Sequence, residues 1–88
     1  VITVPNAFAP GSVNGTVKVI LRGIARLRYF RIYNRFGGMV FESTNIANGW
    51  DGTFDGAAAP SDVYVYQLVV RLPNGEEKKR HGDVTLIR

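Results

Sequence analysis

The chain has 88 residues, no cysteine, 45% hydrophobic residues and a formal net charge of +4. That length excludes two domains, and the apolar content excludes an intrinsically disordered tail. Without cysteine there are neither disulfide staples nor thiolate metal sites, and no apolar run is long enough to cross a bilayer as a helix. The chain starts at Val1 rather than Met, so the expectation is a single domain, 1–88, cut from a much larger protein.

Charge is distributed unevenly. Lys18, Arg22, Arg26, Arg28, Arg31 and Arg35 all precede the first acid, Glu42, so the first 41 residues hold six of the 11 cations and none of the seven anions. Such a bias suits an acidic partner, a phosphate or an anionic glycan. It equally suits a small β protein that keeps itself soluble and blunts its strand edges with arginine.

In chain order, Val1 to Val4 reads as a short strand ended by Pro5-Asn6. Ala7-Phe8-Ala9-Pro10 leads into the loop Gly11 to Gly15, and the flanking prolines point to an edge or a crossing between sheets. From Thr16 to Arg22 the pattern alternates, with Val17, Val19 and Leu21 on one face, and Gly23 interrupts it. Ile24 to Leu27 fits a turn or a helical bend. Arg28 to Arg35 alternates again, with Phe30 and Ile32 inward and Tyr29, Arg31, Tyr33 and Arg35 outward.

Asn34-Arg35-Phe36-Gly37-Gly38 is hairpin turn chemistry, followed by a strand from Met39 to Ser43 and a polar linker from Thr44 to Asn48. Gly49 and Gly52 flank Trp50-Asp51, and Asp55-Gly56 is a second turn pair. The strongest strand follows, from Val63 to Leu72. Tyr64, Tyr66, Leu68, Val70 and Leu72 share one face, and Val63, Val65, Gln67, Val69 and Arg71 the other. Pro73-Asn74-Gly75-Glu76 turns the chain into a last strand that starts at Glu77 and is completed by Asp83 to Arg88. Gly82 is a candidate kink, with Val84 and Leu86 facing in and Thr85 out.

Short strands spaced by turns, with no helical period, predict an all-β fold: a small antiparallel two-sheet immunoglobulin-like sandwich of about seven strands. Its expected core is Trp50, Phe30, Ile32, Tyr64, Tyr66, Leu68 and Leu86.

The search for chemistry yields no catalytic, cofactor-binding or metal-ligating residue. The single histidine, His81, lies beside Lys79 and Arg80 and reads as exposed. Asp51, Asp55 and Asp62 surround the Trp50 turn, yet their spacing matches no calcium loop, and turn aspartates ordinarily cap backbone. The glycines follow turn spacing and precede no helix, so no phosphate cradle is present. Interleaved tyrosine and arginine at Tyr29, Arg31, Tyr33 and Arg35 form an alternative ligand face of the kind that holds glycans or single strands, although no RNA-binding signature accompanies it.

The succession VPNAFAP at Val4 to Pro10, IYNRFGGMVFES at Ile32 to Ser43, NGWDGTFDGAAAPSDVYVYQL at Asn48 to Leu68 and HGDVTLIR at His81 to Arg88 resembles the gliding-motility-associated C-terminal domain. This is the type B sorting domain of the Bacteroidetes type IX secretion system. The resemblance covers nearly the whole chain in order. It implies a non-catalytic β-sandwich at the C-terminus of a large secreted protein, read as an address by the outer-membrane components of the machinery. The implied partners are those components and upstream cargo domains of the same chain, with no nucleic acid and no membrane insertion, and the implied location is the cell surface or the medium.

The chain departs from the family pattern in three places. The loop from Pro10 to Thr16 lacks the family's aspartates, so no ion site is carried over. Asp62 stands where glycine is favoured, which predicts a different turn or a strained residue, and Phe36 stands where tryptophan is common. Because strand edges offer main-chain hydrogen bonds to any partner, the last strand is the candidate recognised surface, with Lys78, Lys79, Arg80, Thr85 and Arg88 as its residues. The rival readings are a carbohydrate-binding or adhesive module and a passive immunoglobulin-like spacer.

Overall fold

A computed structural model describes residues 2–10, 15–21 and 25–87. Nine strands run in chain order among them: β1 (Ile2–Thr3), β2 (Ala7–Phe8), β3 (Ile20–Leu21), β4 (Arg26–Tyr33), β5 (Met39–Ser43), β6 (Thr53–Phe54), β7 (Ala57–Ala58), β8 (Asp62–Arg71) and β9 (Glu77–Leu86). There is no helix among the described residues. Five strands form one sheet in the order β2-β9-β8-β4-β5.

The long hairpin β8–β9 is the spine of that sheet. Its register is unbroken from Asp62 opposite Leu86 to Arg71 opposite Glu77. The turn at its tip is closed by Leu72 N–H donating to Glu76 O and Gly75 N–H to Leu72 O, with Gly75 at φ 90° as the glycine of the Asn-Gly pair permits. On the inner face of β8, Tyr64, Leu68 and Val70 are buried and Tyr66 is half-buried. On the outer face Val63 and Val65 are exposed, whereas Val69, whose ladder neighbours are Tyr29 and Lys79, is buried.

β4 and β5 extend the sheet on the other side. Asn34 closes their turn: its carboxamide oxygen accepts from Phe36 N–H and Gly38 N–H, and Gly37 takes φ 84°. Phe30 and Ile32 point inward and are buried, and Tyr29, Arg31 and Tyr33 face out. The ladder shifts register between Leu27 and Tyr29 and again between Ile32 and Tyr33, and such bulges increase strand twist.

Opposite the inner face the described residues form no second full sheet. β1 pairs with β3, β6 pairs with β7 about the Asp55-Gly56 turn, and Val17 makes an isolated bridge with Trp50. Trp50 is 1% exposed, stacks edge-on against Tyr64 at 4.9 Å and sits 5.4 Å from Phe8. Its indole N–H donates to Thr53 O at 2.9 Å. Val17, Val19, Phe30, Ile32, Leu68, Val84 and Leu86 complete the buried cluster.

The all-β reading, the hairpins and the core therefore hold, with Tyr66 at the core's margin. Other expectations change, beginning with Arg26–Leu27, which belong to β4 rather than to a turn or helical bend. The sheet is mixed rather than antiparallel, because β2 pairs in parallel with β9, Ala7 opposite Thr85 and Phe8 opposite Leu86. The strands number nine rather than about seven, since the β6–β7 hairpin and β2 are too short to show alternation. Among the described residues the second layer consists of short ladders rather than a complete sheet, so the immunoglobulin-like arrangement is not confirmed. Gly82 does not kink β9; it lies in register opposite Tyr66, whose ring fills the space above it. Asp62 also escapes the anticipated strain. It is the extended first residue of β8, and the only described non-glycine residue at positive φ is Asp55, at 53° in its hairpin turn. The Gly11 to Asn14 part of the loop and the Gly23 interruption lie outside the described residues.

The Gly82 position gives a direct test of this packing. A Cβ there meets the Tyr66 hydroxyl at 2.8 Å and ring carbon at 2.9 Å, and that ring is backed by Phe30 at 6.1 Å. Gly82→Val is expected to cost about 1–3 kcal/mol, read as a lower urea midpoint with unchanged slope. In a Tyr66→Ala background the same substitution is expected to cost clearly less.

Candidate functional site

The sequence singled out three groups of residues, and the fold treats them differently. The first is the tyrosine–arginine face. Tyr29, Arg31 and Tyr33 do share the outer face of β4, but the arginines are engaged within the chain. The Arg31 guanidinium lies 4.0 Å above the Tyr29 ring and its Nε donates to Glu42 Oε2 at 2.6 Å. That hydrogen bond raises the Arg31 pKa above its ordinary value. Arg35 lies beyond the end of β4, where Nη1 is 3.6 Å from Asp62 Oδ2 and the guanidinium is 5.7 Å from the Phe36 ring. A row of free cations between aromatic platforms is not formed.

The second group is the aspartates. Asp51 Oδ1 accepts from Thr53 N–H at 3.1 Å and Thr53 Oγ1–H at 2.6 Å, which is turn capping. Asp62 accepts from Val63 N–H and pairs with Arg35, and Asp55 occupies the β6–β7 turn. No group of three or more acidic or histidine side chains converges among the described residues. His81 is exposed on β9, opposite Gln67.

The third group is the last strand, and here the fold adds something that alternation did not reveal. β2 covers β9 only at Thr85 and Leu86, where Thr85 N–H donates to Asn6 O and Ile87 N–H to Phe8 O, both at 2.9 Å. Thr85 is half-buried and its main chain is taken. Arg88 lies outside the described residues. From Glu77 to Asp83, β9 has β8 on one side and no described strand on the other. Lys78, Lys79, Arg80 and His81 are all exposed on this stretch. Glu77 is held at 3.4 Å by Arg28 and 4.0 Å by Arg71, while Lys78, Lys79 and Arg80 have no carboxylate partner among the described residues.

One surface was missed from sequence. A cleft of about 240 Å³ opens between the β4–β5 turn and the β6–β7 hairpin, lined by Phe36, Val40, Phe54, Pro60 and Tyr64. Phe36 is 87% exposed at its rim. Its only sequence signal is two phenylalanines placed in turns.

Among families of known proteins, the model of the CHU_C type IX secretion signal domain matches residues 2–86. The chain belongs to this family. Neither a curated protein nor a solved structure matches it. As a type IX secretion signal domain, the chain serves as a C-terminal sorting signal. Domains of this family are in general non-catalytic, and their role implies contact with the secretion machinery and export across the outer membrane toward the surface or the medium. A signal domain needs a readable surface rather than a reactive group.

Because each aspartate around Trp50 is spent on a local hydrogen bond, ion pair or turn, millimolar calcium is expected to leave the unfolding temperature unchanged. A ligand at 100 times its Kd stabilises by about 2.7 kcal/mol, so a calcium site in that range would be plain in a thermal melt with and without chelator.

Proposed function

We propose that residues 1–88 form the single C-terminal sorting domain of a larger secreted protein, carry no enzymatic activity, and are bound by outer-membrane components of the type IX machinery. The observation that carries this reading is the family match across residues 2–86. Cargo domains upstream in the same chain are delivered to the cell surface or the medium, and the domain contributes the address.

Within that reading, the recognised surface is the cationic half of β9, with Lys78, Lys79 and Arg80 at its centre. Exposure and the lack of internal acid partners support this choice. Thr85 contributes less than the exposed cations, because β2 already occupies its main chain. A carbohydrate-binding role for Tyr29, Arg31, Tyr33 and Arg35 is disfavoured by the Glu42 and Asp62 pairs, which spend the charges such a ligand would use.

The test is a periplasm-targeted fluorescent reporter carrying Val1–Arg88 at its C-terminus in a gliding bacterium with this machinery. Fluorescence is expected at the surface or in the medium, and in the periplasm when the type IX channel is deleted. Periplasmic retention in the parent strain would sink the sorting reading. Reversing the charge of Lys78, Lys79 and Arg80 together is expected to cut export while leaving the urea midpoint close to the parent's, since exposed substitutions usually change stability by within about 0.5 kcal/mol.

A further inference from the structure

We propose that the free edge of β9 from Glu77 to Asp83 binds an extended acidic segment of a partner protein by strand addition, extending the five-stranded sheet. This rests on the sorting reading insofar as the partner belongs to the secretion machinery.

The main chain sets the geometry. Thr85 and Ile87 direct their N–H groups at β2. Amide directions alternate along a strand, and the β8–β9 register has no shift, so Asp83, His81, Lys79 and Glu77 direct theirs at the same side. Among the described residues no strand lies on that side, because β2 is only Ala7–Phe8; the Lys79 carbonyl there accepts a hydrogen bond from the exposed Arg80 guanidinium at 3.0 Å, which an incoming strand displaces. The exposed ladder is roughly 20 Å long at strand rise, long enough for a short recognition strand.

Side chains set the chemistry of the occupant. Lys78 and Arg80 lie on the face of Val70 and Leu68, and Lys79 and His81 on the face of Val69 and Gln67. An incoming strand therefore meets cations on both of its faces, and acids at successive positions are each matched. Asp83, beside β2, favours an uncharged or basic residue at that end, which fixes where the acids fall. Lysine on an edge also deters uncontrolled pairing. Deterrence and selective capture use the same residues, since the cations repel basic strands, give neutral ones no charge pairing and attract acidic ones.

The probe is a short acetylated peptide alternating glutamate with threonine, titrated onto the full chain and followed by amide exchange and chemical shift. Binding is expected to protect the Lys79 and His81 amides, to weaken with salt, and to be absent for the lysine–threonine counterpart. His81→Pro removes an edge donor without touching the bonds to β8; it is expected to weaken binding by about tenfold or more. Lys79→Pro is the second variant should His81→Pro not fold, and Lys78→Ser, Lys79→Ser and Arg80→Ser combined test the charge. Absence of binding, binding indifferent to the proline, or equal binding of the basic peptide overturns the proposal. In the reporter assay, a parent domain that exports alongside edge variants that export equally well also overturns it and leaves the sorting reading standing. A parent domain that fails to export defeats the sorting reading, and the peptide titration then decides the edge by itself.

Discussion

The burial of Trp50 is the constraint on which the rest of the structure depends. It is the largest fully buried side chain, and it touches β2 through Phe8 and β8 through Tyr64 while its own backbone bridges Val17 on the opposite layer. An indole in that position must satisfy its N–H, and Thr53 O does so from within the same turn. The turn is held by Asp51, and the close approach of Gly49 to Lys18, Thr16 and the Val17 carbonyl leaves no room for a side chain. One residue thus ties together pieces of second layer too short to be stable as a sheet. Truncations of buried tryptophan commonly cost about 3–5 kcal/mol, a large share of the margin of a small domain.

A fragmentary second layer has consequences for the surface. A small domain closes its core with one well-ordered sheet and a patchwork, so the long strands of that sheet project beyond what the patchwork and β2 cover. The β8–β9 hairpin is the clearest case: its Leu86 end is buried on one face and flanked by β2, while its Glu77 end is flanked only by β8. Burial and exposure are therefore separated along a single strand. Val84 and Leu86 are buried and hold β9 in place, and Lys78, Lys79, Arg80 and His81 are exposed.

Legibility from sequence followed the length of the element. The alternation of β4, β5, β8 and β9 spans enough residues for period two to emerge, and the turns at Gly37, Asp55-Gly56 and Gly75 carry residues suited to positive φ, so all were readable. β2 was not, because two residues between prolines have no period, and its parallel pairing brings together positions at the two ends of the chain that no local signal links. Val69 shows the limit of face assignment: it lies on the outer face and is nonetheless buried. Of the candidate surfaces, the Lys78–Arg80 cluster was visible as composition, whereas its position on an open edge required the extent of β2. The arginine–tyrosine face was visible as a pattern, but the carboxylates that neutralise it come from β5 and β8 and lie far away in sequence.

The uneven charge along the chain acquires a physical meaning from these pairs. Arg28 and Arg71 meet Glu77, Arg31 meets Glu42 and Arg35 meets Asp62, so three arginines of the acid-free first 41 residues are matched by acids that follow them in the chain. Exposed pairs of this kind add little stability each, but they remove arginine from the stock of charge that a partner can use. Among the described residues of the sheet, Arg26 and the run Lys78, Lys79 and Arg80 have no carboxylate partner, and the run lies on the part of β9 that β2 does not cover. Charge and backbone valence thus coincide at one site. A basic patch alone attracts any anion and an open edge alone accepts any strand, so their coincidence is what favours the proposed acidic extended chain over either.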